Sequence, residues 1–226
     1  VRSESGGYDG TSPPPRRVTR SLVAFPDGFT ATKPVRCRPT DVARRPTPRP
    51  ELRTALREAL TAGREEFRDS VDRLASEYDF DAERVGTDPE TLDPPAAVAP
   101  LDTPDREPVR RAWTLAEAPL GVVVAGAAYH DNPILYANRA TRRLTGYTLS
   151  ELCGENLRRL QGSGTDGAAV DALRNALRNW NSVTVELRNY RADGTPFTNR
   201  VTLVPRSGDD GTVRHWFGLQ AAVPAD

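Results

Sequence analysis

The chain has 226 residues, with 31 Lys/Arg against 31 Asp/Glu, 20 prolines and two cysteines. That length holds one ordinary domain plus a long extension, and Cys37 and Cys153 sit in contexts too different for a disulfide framework or a zinc site. No apolar run nears the roughly 20 residues a membrane helix needs, and no charged-then-apolar leader opens the chain, so a cytoplasmic, membrane-free setting is expected.

Residues 1–49 mix Gly, Ser, Thr, Pro and Arg without a sustained apolar period and read as a mostly disordered tail. The balanced total hides segments of opposite sign. Residues 1–50 carry ten Lys/Arg against four acids (+6), 51–110 eight against sixteen (−8), and the remainder thirteen against eleven (+2). The acidic middle opposes nucleic-acid contact there. From Pro50, a residue suited to a first helical turn, Leu52, Leu56, Leu60, Phe67, Val71, Leu74 and Tyr78 recur at helical spacing. The spacing predicts one amphipathic helix over 50–79, interrupted by Gly63. Its apolar stripe must be buried on the C-terminal domain, on a second copy, or on another protein. Residues 80–108, acidic and proline-rich, read as a linker.

The domain proper is expected over 109–226. A short helix over 109–118 leads into strands at 120–125 and 134–138. Short helices follow over 139–162, then a longer one over 165–179. Strands at 182–192, 196–206 and 212–222 are joined by turns at Asp193-Gly194 and Gly208-Asp209-Asp210-Gly211. This order implies an α+β fold, a five-stranded antiparallel sheet with helices on one face, preceded by a helical and disordered N-terminal extension. A sheet with a helical cover on one face makes a concave pocket.

Several separated motifs carry more. They are Asp131-Asn132-Pro133-Ile134 with Ala137-Asn138, Leu144-Thr145-Gly146-Tyr147, and Gly154-Glu155-Asn156-Leu157-Arg158-Arg159-Leu160-Gln161-Gly162. Downstream come Asn189-Tyr190 through Phe197 with Asn199, and Trp216-Phe217-Gly218-Leu219-Gln220. In order and spacing, over about residues 119–222, they resemble the light-oxygen-voltage (LOV) subfamily of PAS sensor domains. The resemblance implies a PAS fold around a flavin. It also implies roles for Asn132, Asn156, Gln161, Asn189, Asn199 and Gln220 as polar contacts, and for Arg158 and Arg174 as phosphate partners. Leu157, Leu160, Leu173, Leu187, Val201, Leu203 and Trp216 would form the apolar wall. Those residue types suit the ligand. An amide both donates and accepts along a pyrimidine edge, and a guanidinium fork grips phosphate. Asn189 and Asn199 share side-chain parity about their turn, so both can face one pocket. The short segment Gly162–Asp166 goes, in the family, with flavin mononucleotide (FMN) rather than the dinucleotide FAD.

The family's adduct-forming cysteine is replaced here by Leu157. Cys153 stands four residues upstream, where a buried cysteine behaves as a small hydrophobe. The expected protein is therefore a flavin-binding blue-light or redox sensor, not an enzyme. It would signal by photoreduction of the flavin to the neutral semiquinone, with Trp216, Trp180 or Tyr190 as electron source, and by rotation of Gln220. The last strand runs close to Asp226, so output is expected through the N-terminal helices, toward a homodimer partner or another protein. The alternative is a flavin-free PAS dimerisation or interaction module.

Overall fold

In the computed structural model the described residues are 50–83, 101–127, 130–208 and 210–224. The tail 1–49 and most of the expected linker lie outside them.

The stripe beginning at Pro50 forms two helices rather than the single one expected over 50–79. These are α1 (Pro50–Thr61) and α2 (Arg64–Tyr78), parted at Gly63. Glycine inside a helix costs about 1 kcal/mol against alanine, and Gly63 adopts an extended ψ of 170° before α2 starts. The last carbonyls of α1 are not left unpaired. The Arg111 guanidinium Nη1 donates to those of Leu60 (3.2 Å) and Ala62 (2.7 Å), and lies over the Phe67 ring of α2, 4.9 Å from its centre. Arg111 belongs to α3 (Thr103–Thr114), which begins inside the segment assigned to linker over 80–108. Pro104 in its first turn and Asp102 before it make an acceptable helix start that the local proline content masked.

The sheet follows the expected order. Strands β1 (Gly121–Ala125), β2 (Ile134–Ala137), β3 (Val183–Tyr190), β4 (Pro196–Ser207) and β5 (Val213–Ala222) lie antiparallel in the spatial order β2-β1-β5-β4-β3. Between β2 and β3 run α4 (Arg139–Thr145), α5 (Leu149–Leu152), a 3-10 turn (Leu157–Leu160) and α6 (Gly167–Asn179). Register assigns the faces. Leu187 pairs with Asn199, Val201 with Gln220, and Leu203 with Gly218, so these share one face with Asn189 and Trp216. Thr202, Val204, Phe217 and Leu219 point the other way.

That second face is where the N-terminal helices lie. Arg53 of α1 donates to the Leu219 carbonyl (2.8 Å) and to Thr202 Oγ1 (3.2 Å). Leu52, Leu56, Phe67, Val71 and Leu74 join Val122, Val124, Val204, Phe217 and Leu219 in one buried cluster. On α3, Asp105 Oδ1 meets His215 Nε2 of β5 at 2.7 Å. Helices α4–α6 stay on the first face, so the sheet is covered on both sides. The apolar stripe of α1 and α2 is thus buried against its own chain.

Asn138 ties these layers together. Fully buried, its Oδ1 accepts from the Val122 and Thr141 amides (2.9 and 3.0 Å). Its Nδ2 donates to the carbonyls of Leu120 (2.9 Å) and Leu115 (3.1 Å). It caps α4 and fixes β1 to the end of α3. An Asn138→Ala substitution takes this partner from the Val122 and Thr141 amides and the Leu120 carbonyl, while the Leu115 carbonyl keeps the Ala118 amide, so a loss of about 3 kcal/mol in urea unfolding is expected.

Candidate cofactor-binding site

Between the first sheet face and the 3-10 turn with α6 lies a cavity of about 190 Å³. Each element supplies side chains by its own period. From α6 come Val170, Leu173, Arg174 and Leu177, one helical stripe. From the 3-10 turn and its caps come Asn156, Leu157, Arg158, Leu160 and Gln161. From the sheet come Ala125, Leu187, Asn189, Val201, Leu203, Trp216 and Gln220, with Asn132 from the loop before β2. The wall is apolar with amides and two arginines set into it, and among the described residues it holds no carboxylate, histidine, cysteine or tyrosine.

Fourteen of the fifteen residues singled out in the sequence line this cavity; Asn199 does not. It is nevertheless fully buried and joined to two that do. Its Nδ2 donates to Asn189 Oδ1 and to Gln220 Oε1, each at 2.9 Å. Three amides on three adjacent strands thus form one hydrogen-bonded chain. Two of its atoms, Asn199 Oδ1 and Gln220 Nε2, are buried without a partner, as is Asn132 Oδ1. An unmet buried polar group costs about 1–3 kcal/mol, so the arrangement is built for something polar brought from outside.

The sequence reading missed Ala125, Val170 and Leu177. A signal for two of them existed, since Val170 and Leu177 stand one helical turn either side of Leu173. Ala125 enters only through its pairing with Trp216 across β1 and β5.

Arg158 and Arg174 sit at the rim. Both are exposed and each already faces a carboxylate, Arg158 that of Asp131 and Arg174 that of Asp171 (2.9 Å). Exposed pairs of this kind are worth about 0–1 kcal/mol, so either arginine can exchange its carboxylate for a phosphate at small cost. The loop after the 3-10 turn is stapled to β3. The Gly164 amide donates to Tyr190 Oη (3.0 Å), and Thr165 Oγ1 donates to the Arg188 carbonyl (2.7 Å). Glycine is required at 162, where an added Cβ would stand 2.5 Å from Tyr190 Cε2.

Leu157 lies over β5, its Cδ1 3.8 Å from where a Cβ on Gly218 would be. Cys153 is outside the cavity wall. Its thiol faces the Leu135 carbonyl (3.5 Å), and burial pushes it up to about 11, which keeps it protonated and unreactive. Of the three candidate electron sources, only Trp216 lines the cavity. Tyr190 is held against Gly162, and Trp180 is 61% exposed at the left-handed end of α6.

A five-stranded antiparallel sheet closed by short helices around a cavity is the architecture of a ligand-holding sensor domain. Residues 119–220 match the PAS domain family. Over 101 residues the chain is 41% identical to Phototropin-1A of Oryza sativa subsp. japonica, covering 45% of this chain and 11% of that protein. It is 38% identical over 111 residues to Blue-light-activated histidine kinase 2 of Erythrobacter litoralis, covering 49% of this chain and 32% of the kinase. Among solved structures, the light state of the blue-light photoreceptor Aureochrome1 LOV is 40% identical. It covers 46% of this chain and 81% of that chain, with a TM-score of 0.45. The chain spans at most about a third of the length of these two curated relatives. Residues 119–220 are a PAS domain of the LOV kind.

Proposed function

We propose that this domain binds FMN and acts as a blue-light sensor, open also to redox input, that signals without a cysteinyl adduct. The observation that carries the reading is the pair of unpartnered amide atoms, Gln220 Nε2 and Asn199 Oδ1, within a buried amide chain. A flavin fits these residues. Its pyrimidine edge offers the alternating donors and acceptors that Asn189 and Gln161 would meet, with Asn199 behind them bonded to Asn189. Its ring suits the Leu and Val wall, and Arg158 and Arg174 would take the phosphate. The short, stapled loop at 162–165 favours the mononucleotide over FAD.

When bound, the flavin supplies blue absorption and an excited state that takes up one electron and, at N5, one proton. The rest is done by side chains. Gln220 presents Nε2 toward an acceptor in the dark, because Oε1 is held by Asn199. A donor at N5 demands the oxygen instead, and turning Gln220 brings its NH₂ against that of Asn199. Asn199 must then turn, offering its free Oδ1, and Asn189 must follow. The amide chain is therefore a two-state element, its states separated by about 1 kcal/mol per mismatched bond.

Output leaves through the opposite face. Gln220 adjoins Leu219, whose carbonyl anchors Arg53 of α1. Arg53 is buried enough that desolvation, with the charge of Arg200 second, pulls its guanidinium down to about 10, so this anchor is already held against an electrostatic penalty. A shift of β5 loosens it and with it α1–α2. A homodimer through the helices or the sheet face, or docking of a downstream protein, then follows from the apolar surface so released.

An absorption spectrum of the purified chain, dark and blue-lit, tests this. Structured flavin bands that convert to a radical spectrum without a thiol-adduct band are expected. In Leu157→Cys the adduct band is expected to appear reversibly. Protein that stays colourless with added FMN would instead support a flavin-free PAS interaction module.

A further inference from the structure

We propose that Trp216 is the built-in electron donor to the light-excited flavin, an inference that rests on the flavin reading above. Photoreduction needs an oxidisable group close to the ring, and among the described residues the wall supplies one candidate. The chain contains no methionine, and among the described residues the cavity wall has no tyrosine, cysteine or histidine. Trp216 is the only aromatic among the described lining residues, 3% exposed, on the same face of β5 as Gln220 and four residues from it. Its neighbours across the sheet are Ala125 and Pro205, neither of which can hold a charge. The other indole near this end of the molecule, Trp180, is turned to solvent, and the Tyr190 hydroxyl is engaged by the Gly164 amide.

The absence of acids from the wall sharpens the argument. A proton must reach the flavin with the electron to give the neutral reduced form, and among the described residues no carboxylic acid, imidazole or thiol lines the cavity to give it. An indole that has lost an electron becomes far more acidic, comparable to a carboxylic acid. Trp216 therefore surrenders one electron from its ring and then its N1 proton, and the flavin gains one of each. Recombination returns both, leaving no net change. A lasting lit state requires a soluble thiol to restore a hydrogen atom to Trp216, and the resulting thiyl radicals couple to a disulfide.

The test uses the full chain loaded with FMN, in wild type, Trp216→Phe and Trp180→Phe. Titrating apoprotein with FMN comes first: tryptophan emission is expected to be quenched, and Trp216→Phe to lack most of the quenched component. Flavin emission in Trp216→Phe should lengthen in lifetime, and photoreduction with added thiol should slow about tenfold, while Trp180→Phe matches wild type. Transient absorption of wild type should show a neutral tryptophanyl radical. Trp216→Phe that binds FMN and photoreduces at the wild-type rate overturns the proposal, as does transfer of the loss to Trp180→Phe. If Trp216→Phe does not fold, absence of the tryptophanyl signal in wild type overturns it alone. Wild-type apoprotein that takes up no FMN removes the flavin reading itself, and the proposal with it.

Discussion

Replacing Gln220 by leucine is expected to keep FMN bound and to abolish the light-dependent loosening of α1 and α2. Leucine has nearly the same length and removes the orphaned Nε2, so the cavity retains its shape. The cost is the bond from Asn199 Nδ2, which keeps its second acceptor in Asn189. What leucine cannot do is exchange an N–H for an oxygen when the flavin edge changes from acceptor to donor. Hydrogen exchange of the α1 and α2 amides in darkness and under blue light reads the result. Wild type should lose about fivefold in protection, the equivalent of one mismatched hydrogen bond near 1 kcal/mol. Gln220→Leu should show the same exchange in both conditions. A leucine variant that still loosens under light would remove the amide chain from the signalling route.

Arg111→Met is expected to cost about 3 kcal/mol and to unfasten the N-terminal helices before the sheet unfolds. The guanidinium is 2% exposed, closes the carbonyl end of α1, covers the Phe67 ring and pairs with Glu107 (2.9 Å). Methionine keeps the stem but leaves the Leu60 and Ala62 carbonyls without their guanidinium donor, and Glu107 Oε1 with Arg110 alone. Limited proteolysis near Gly63 and urea unfolding followed on α1–α2 are the measurements. The same cluster sets an acid limit. Burial alone would raise the Glu107 carboxyl. Hydrogen bonds from Arg110 and Arg111 outweigh it together and hold that carboxyl below the usual 4.5. A depressed folded value means the contribution is complete above the unfolded value and is lost as pH falls through the folded one. Acidification below pH 4.5 should therefore weaken the docking of α3 to α1–α2, and the effect should shrink in Arg111→Met.

Much of this was legible in the chain. Alternation at Leu187, Asn189, Asn199, Val201 and Leu203 declares one inward face on two strands, because a strand has a period of two and the Asp193-Gly194 turn fixes their register. The stripe through Leu52, Leu56, Phe67 and Val71 declares helices, and Gly63 marks where they part. The upstream position of Cys153, four residues before Leu157, agrees with its place off the wall.

Other features are set by contacts between segments far apart in the chain, and periodicity has no access to them. The outward sheet face became the seat of α1 and α2 because Arg53 reaches Leu219, 166 positions away. Arg111 closes a helix 49 to 51 residues upstream, and Asp131 meets Arg158 at the rim. Asn199 looked like a ligand contact from its parity alone. Only the adjacency of β3, β4 and β5 made it the middle of an amide chain, with one donor group shared between two acceptors. Short-range pattern decides which way a side chain points, whereas what it meets there depends on which strands and helices the buried apolar surface brings together.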